Sequence, residues 1–196
     1  MASSVTSRST TLHSSDWVEA AFSRFSDQGI ESVRVEVLAR DLGVSKGSFY
    51  WHFRDRGELL EEMLGRWEQE ELRWTGAEDN TSPATRWAHV VAKAADPERI
   101  RTEVALRGWA RRDSRVAARV AAIERKKAAL IADVLRDVGF APLAADAWSE
   151  IVLMVCLGWL DRATRDRAFL AASRGLSEFL SDVILAASAG SSPLPR

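Results

Sequence analysis

What most limits how this chain can fold is the spacing of its apolar residues, which return every three or four positions and almost never every second one. That period lays apolar side chains along one stripe of a helix, whereas a half-buried strand needs strict alternation. Tyr occurs once and Pro five times, while Ala, Leu, Arg and Glu dominate. The chain therefore reads as all-α. Ser14 or Ser15 is placed to cap a first helix from Asp16 to Gln28, which Gly29 stops, with Trp17, Ala20, Ala21 and Phe25 as its stripe. A short helix over Val35 to Leu42 ends at Gly43, Ser45 caps another over Lys46 to Phe53, and Asp55 opens a long one toward Trp74. Gly76 to Ser82 is a polar loop. Ser82-Pro83 and Asp96-Pro97 each pair an N-cap with a first-turn proline, predicting helices to Ala94 and Arg112. Asp113 or Ser114 begins a helix to Val138, stopped by Gly139 and Pro142, and two more follow over 143–164 and 168–188. The expectation is nine helices with no internal repeat.

A length of 196 residues accommodates a small domain joined to a medium one. The division expected is a tail over 1–15, a head over 16–60, a body over 61–188 and a second tail over 189–196. With 27 basic and 28 acidic side chains the net charge is -1, so any nucleic-acid site must be local and built from segregated charge. Cys156 is the one cysteine and cannot form an internal disulfide, which fits a reducing, cytoplasmic interior. The longest apolar run, Ile151 to Leu160, is short for a bilayer, and Met1 to Ser15 lacks the apolar core of a secretory signal; no membrane is expected. His13, His52, His89 and Cys156 show no metal-ligand spacing. A Gly-rich phosphate loop, a nucleophile elbow and a metalloprotease string are all missing, so no catalytic residue, metal or cofactor is assigned.

The informative stretch is Leu38-Ala39-Arg40-Asp41-Leu42-Gly43-Val44-Ser45-Lys46-Gly47-Ser48-Phe49-Tyr50-Trp51-His52-Phe53. Two short amphipathic helices around Gly43-Val44-Ser45 make a helix-turn-helix, whose second helix fits a major groove. At about 100° per residue from Lys46, Phe49 and Phe53 fall at about 300° and about 340°, one stripe facing Leu38, Leu42 and the first helix. Trp51 then points the opposite way, between Gly47 and Ser48. An indole turned from its own core either packs on a neighbouring helix or meets a partner. Lys46, Tyr50, Arg54 and Arg56 nearby favour DNA as that partner. Residues 1–57 nonetheless carry seven basic and seven acidic side chains, so few phosphates are held per subunit and a dimer is required.

At these residues the chain resembles the TetR family of bacterial one-component regulators. The resemblance spans Asp16 to Leu64 and is strongest in the string Gly43 to Phe53 followed by Arg54-Asp55-Arg56-Gly57-Glu58-Leu59-Leu60. It implies nine helices, three of them binding DNA and the rest binding a ligand and dimerising. It further implies base contacts from Lys46, Ser48 and Trp51 and phosphate contacts from Ser45, Tyr50, His52 and Arg56, with Gly47 allowing close approach and Phe49 and Phe53 as core. Where many members carry a small polar cap and then a basic residue, this chain has Arg34 and Glu36. Arg34 joins the candidate DNA contacts. Glu36 either accepts a hydrogen bond from a cytosine amino group or pairs with Arg34 or Arg40, the pair being the simpler reading.

Behind the head, two helices carry apolar stripes too wide for one covering helix: Trp148, Ile151, Val152, Val155, Trp159 and Leu160 on one, and Phe169, Leu176, Phe179, Leu180, Val183 and Ile184 on the other. Paired across a twofold axis they would make a four-helix interface; the residues assigned to it are Trp148, Val152, Val155, Trp159, Leu176, Leu180 and Val183. The chain has eight tryptophans, and Trp67, Trp87 and Trp109 are the candidates to line a cavity for a small aromatic or hydrophobic effector. The function expected is a dimeric repressor that binds palindromic operator DNA and is released by that effector. The alternatives are an effector-independent DNA-binding activator and a helical module that binds a protein partner.

Overall fold

The computed structural model describes residues 12–75, 82–94, 96–165 and 182. Among them every regular element is a helix, as expected. The expected last helix, 168–188, lies outside the described residues except for Asp182.

The head is built from three helices. The first, α1 (Ser14–Gln28), begins earlier than predicted. His13 rather than Ser14 or Ser15 takes the N-cap position, because the Asp16 carboxylate accepts the His13 backbone N–H at 2.6 Å and so closes the first turn. Trp17, Val18, Ala21 and Phe25 are buried along one face. A 3-10 turn (Ile30–Ser32) leads to α2 (Val35–Asp41). Gly43 then adopts φ 69°, a left-handed conformation that L side chains rarely tolerate, and Val44 N–H returns to the Ala39 carbonyl at 2.9 Å. The next helix, α3 (Lys46–Phe49), is a single turn, not the longer helix to Phe53 that periodicity suggests. Ser45 holds the N-cap backbone conformation, but its hydroxyl makes no cap bond. Beyond Phe49 the chain tightens, with His52 N–H on the Phe49 carbonyl at 2.9 Å. The tightening seats both Phe49 and Phe53 in the core before Asp55 accepts the Glu58 N–H at 2.9 Å near the start of α4 (Arg56–Thr75).

The body contains α5 (Pro83–Ala94), α6 (Pro97–Ala110), α7 (Ser114–Asp137) and α8 (Pro142–Arg165). Asp96 and Asp113 cap α6 and α7 through their carboxylates, and α6 stops two residues before the predicted Arg112. Two apolar clusters result. The larger joins the head to the body, running from Trp17, Phe25 and Phe49 through Met63 and Trp67 to Leu106, Trp109 and Val120. The smaller gathers Trp87, Ile131, Leu135, Ala145 and Val152. The most extensive helix pair is α7 with α8. The outer face of α8 leaves Leu143, Ile151, Met154 and Val155 exposed. Residues 142–159 of that helix are long and apolar enough, by length and composition, to cross a membrane, although they include Asp146 and Glu150.

Candidate nucleic-acid interface

The outward side of α3 is presented by what lies beneath it. Phe49 has no exposed surface and meets Trp17 edge-on, with ring centroids 5.3 Å apart at 74°, while Phe53 stacks on it at 5.4 Å. With these rings locked inward, Trp51 is 90% exposed and Tyr50 is 55% exposed. Ser45, Lys46 and Gly47 are exposed as well, Ser48 and His52 are half-buried, and Arg34 is exposed at the N-cap of α2. A Cβ added at Gly47 would meet only Ser45 Oγ, at an ordinary 3.6 Å. The fold itself does not demand glycine there, and its absent side chain keeps the surface between Lys46 and Trp51 low.

Four of the head's six arginine and lysine side chains lie beside a carboxylate, Arg24 and Arg40 sharing Asp41. Arg24 forms a two-point pair with Asp41 that ties α1 to α2 and holds the Asp41 carboxyl below its usual range. Arg54 pairs with Glu58 at 3.2 Å, and Lys46 Nζ donates to Glu36 Oε1 at 2.5 Å. Glu36 was expected to pair with Arg34 or Arg40 along its own helix. Its partner is instead on α3, because the Gly43 turn brings the first residue of α3 beside the first turn of α2. The Lys46 hydrogen bond lowers the Glu36 carboxyl and raises the Lys46 ammonium. Arg56 is a second departure. Its Nε donates to the Val33 carbonyl at 2.5 Å and its Nη2 to the Ile30 carbonyl at 2.6 Å, so two of its five N–H donors serve the fold.

The body distributes the three tryptophans assigned to an effector cavity. Trp67 lines a cavity of about 310 Å³ with Phe22, Glu71 and Arg99 between α1, α4 and α6. Trp109 lines a separate cleft with Ile30, Arg56 and Arg112, and Trp87 belongs to the smaller apolar cluster. Of the residues assigned to the dimer, Val152 is buried against its own chain's core and Trp148 and Trp159 are half-buried. Val155 is 38% exposed, and Ile151 and Met154 accompany it outward. Leu176, Leu180 and Val183 lie outside the described residues.

Sequence reasoning missed a buried ionic group in the body. Glu71 on α4, Glu103 on α6 and Lys127 on α7 are each under 7% exposed. Lys127 Nζ lies 2.7 Å from Glu71 and 2.6 Å from Glu103, and Arg99 joins Glu71 at 2.7 Å. Burial alone would raise the Glu71 carboxyl, but the Arg99 hydrogen bonds and the Lys127 and Arg99 charges outweigh it and hold it at about 2. A signal existed. Lys127 continues the apolar stripe Val116, Val120, Ile123 of α7 at helical spacing, and Glu71 follows Trp67 by four. A charge on an apolar stripe needs a counter-charge from a facing helix.

Residues 18–63, which include all of this head after the first turn, match the family model described as bacterial regulatory proteins, tetR family. The HTH-type transcriptional regulator AcrR of Shigella flexneri is 37% identical over 54 residues, which cover 28% of this chain and 24% of that protein. The match thus spans about a quarter of that relative's length. A transcriptional regulator from Rhodococcus sp. Rha1 superposes over 91% of this chain and 95% of its own, with a TM-score of 0.67 at 20% identity. A TetR transcription regulator from Haloarcula marismortui superposes over 86% and 96%, at 0.69 and 14%. The family model thus matches the head, while the helical layout shared with the solved regulators extends through the body. The head matches the tetR family of bacterial regulatory proteins over residues 18–63, and the body shares the helical fold of the solved regulators.

Proposed function

We propose that this chain is a transcriptional regulator that binds a palindromic operator as a homodimer, represses there, and lets go when a small molecule occupies the body. The observation that carries the reading is the pairing of a 90% exposed Trp51 with a fully buried Phe49 two residues earlier. A large indole held in water on a rigid base fits a surface built to be covered. Lys46, Ser48 and Trp51 are the base-reading candidates, and Ser45, Tyr50, His52 and Arg34 the backbone contacts, with Gly47 between them. Arg56 supports them from behind.

Dimerisation is supported by the exposed apolar face of α8, which a second copy would cover. The proposed division into head (16–60) and body (61–188) falls inside α4, one unbroken helix from Arg56 to Thr75. That continuity makes α4 the lever. Its front turns pack in the head's core, and Glu71 near its rear is tied to α6 and α7. A ligand moves such a lever only through differential affinity, and near-complete switching needs about 10⁴-fold preference for the released conformation.

The test is selection of bound fragments from a random duplex pool at two salt concentrations, with wild type and Trp51→Ala. A palindrome enriched by wild type and lost with Trp51→Ala is expected. No enriched sequence at either salt would sink the reading.

A further inference from the structure

We infer that Glu36 and Lys46 act together as the reader of one G·C base pair in each half-site, Lys46 on the guanine acceptors and Glu36 on the cytosine amino group. The inference rests on the operator binding proposed above and names which of its contacts selects sequence. Lys46 Nζ and Glu36 Oε1 lie 2.5 Å apart, with side chains 50% and 63% exposed. The bond crosses from the first turn of α2 to the first residue of α3, so both helices of the motif contribute to one outward-facing group. An exposed pair of this kind adds little to folding.

What the pair presents is a donor immediately beside an acceptor. A phosphate satisfies Lys46 alone and brings a second anion against Glu36, which the Lys46 charge no longer fully offsets. The major-groove edge of a G·C pair presents the reverse pattern, N7 and O6 acceptors beside the N4 amino donor. Lys46 can there donate to guanine while Glu36 accepts from cytosine, so each group exchanges its hydrogen bond for another and neither is stranded. An A·T pair offers an amino donor too, but that donor sits between its N7 and O4 acceptors, so it lacks the two adjacent acceptors that guanine N7 and O6 present to the Lys46 ammonium. Glu36 therefore makes Lys46 discriminating: it penalises a backbone contact and rewards one base pair.

The experiment is selection from a random duplex pool with the full chain as wild type, Glu36→Ala and Glu36→Gln, followed by competition binding on operators changed at single positions. Wild type is expected to enrich G·C at one position per half-site. Glu36→Ala should lose about tenfold of that preference, at that position only. Glu36→Gln should move the same position toward A·T, because an amide pairs with adenine N6 and N7. Thermal melting checks that each variant is folded, which the exposure of Glu36 favours. Unchanged base preferences, with affinity moved equally on every sequence, would overturn the inference and leave Glu36 as a charge partner only. A wild type that selects no sequence would overturn the operator reading first and this inference with it.

Discussion

Arg99 grips Glu71 through two parallel hydrogen bonds, Nε to Oε1 at 2.9 Å and Nη2 to Oε2 at 2.7 Å, and so fastens α6 to the rear of the helix that starts in the head. Lys127 approaches the same carboxylate from α7 at 2.7 Å. Removing one partner of a buried ionic group leaves the others uncompensated, which costs about 3–5 kcal/mol. Glu71→Gln is therefore expected to lower the melting temperature by more than about 6 °C, at about 2–4 °C per kcal/mol for a chain of this size. Differential scanning calorimetry at pH 7 measures it, and a shift under about 2 °C would show that the group contributes little.

The same carboxylate sets a pH dependence. Its folded-state pKa of about 2 lies below the ordinary 4.5, so folding is stabilised by the charged form above that ordinary value. That contribution, about 3 kcal/mol from the size of the depression, is lost as pH falls from about 4.5 toward about 2. Urea midpoints across that range should fall less steeply in Glu71→Gln than in wild type. Identical slopes would contradict the assignment.

Phe49 and Trp51 are two residues apart and should respond in opposite ways. Phe49→Ala empties the centre of the head's core and is expected to cost about 3–5 kcal/mol of stability. Trp51→Ala removes a side chain already in water and should stay within about 0.5 kcal/mol of wild type while weakening operator binding. Melting curves and fluorescence anisotropy on one selected duplex, taken together, separate the two. A large stability loss in Trp51→Ala would mean the indole has a structural duty.

Arg56 and Arg34 give a second contrast. Arg56 bridges two backbone carbonyls, and Arg56→Ala, which strands both, should cost about 1–3 kcal/mol of stability and leave the salt dependence of DNA binding unchanged. Arg34→Ala should leave stability unchanged and reduce the slope of log K against log salt by about 0.9, one phosphate's share. Titrations at four salt concentrations decide it. A slope reduced by about 0.9 in Arg56→Ala instead would return Arg56 to the DNA contacts.

Met154 is 60% exposed on the outer face of α8, beside Ile151 and Val155. A charge placed there should cost nothing in the isolated chain but prevent a second copy from covering that face. Met154→Glu is thus expected to sediment as a monomer and to lose operator affinity, since half-sites one helical turn apart need two joined heads. A variant that still sediments as a dimer would move the interface elsewhere.

Within the sequence alone, the helix order over the described residues, the Gly43 turn, the Asp55 and Asp96 caps and the outward Trp51 were all legible, because periodicity and capping are local and depend on neighbours a few residues apart. The pairing of Glu36 with Lys46, the internal use of Arg56 and the burial of Val152 were decided only by tertiary structure. Each joins residues from different helices, and the angle of a turn determines which groups meet. The ionic group of Glu71, Glu103 and Lys127 stands between the two cases. Spacing places each charge on an apolar stripe, but only packing of α4, α6 and α7 supplies the opposite charge that lets it stay buried.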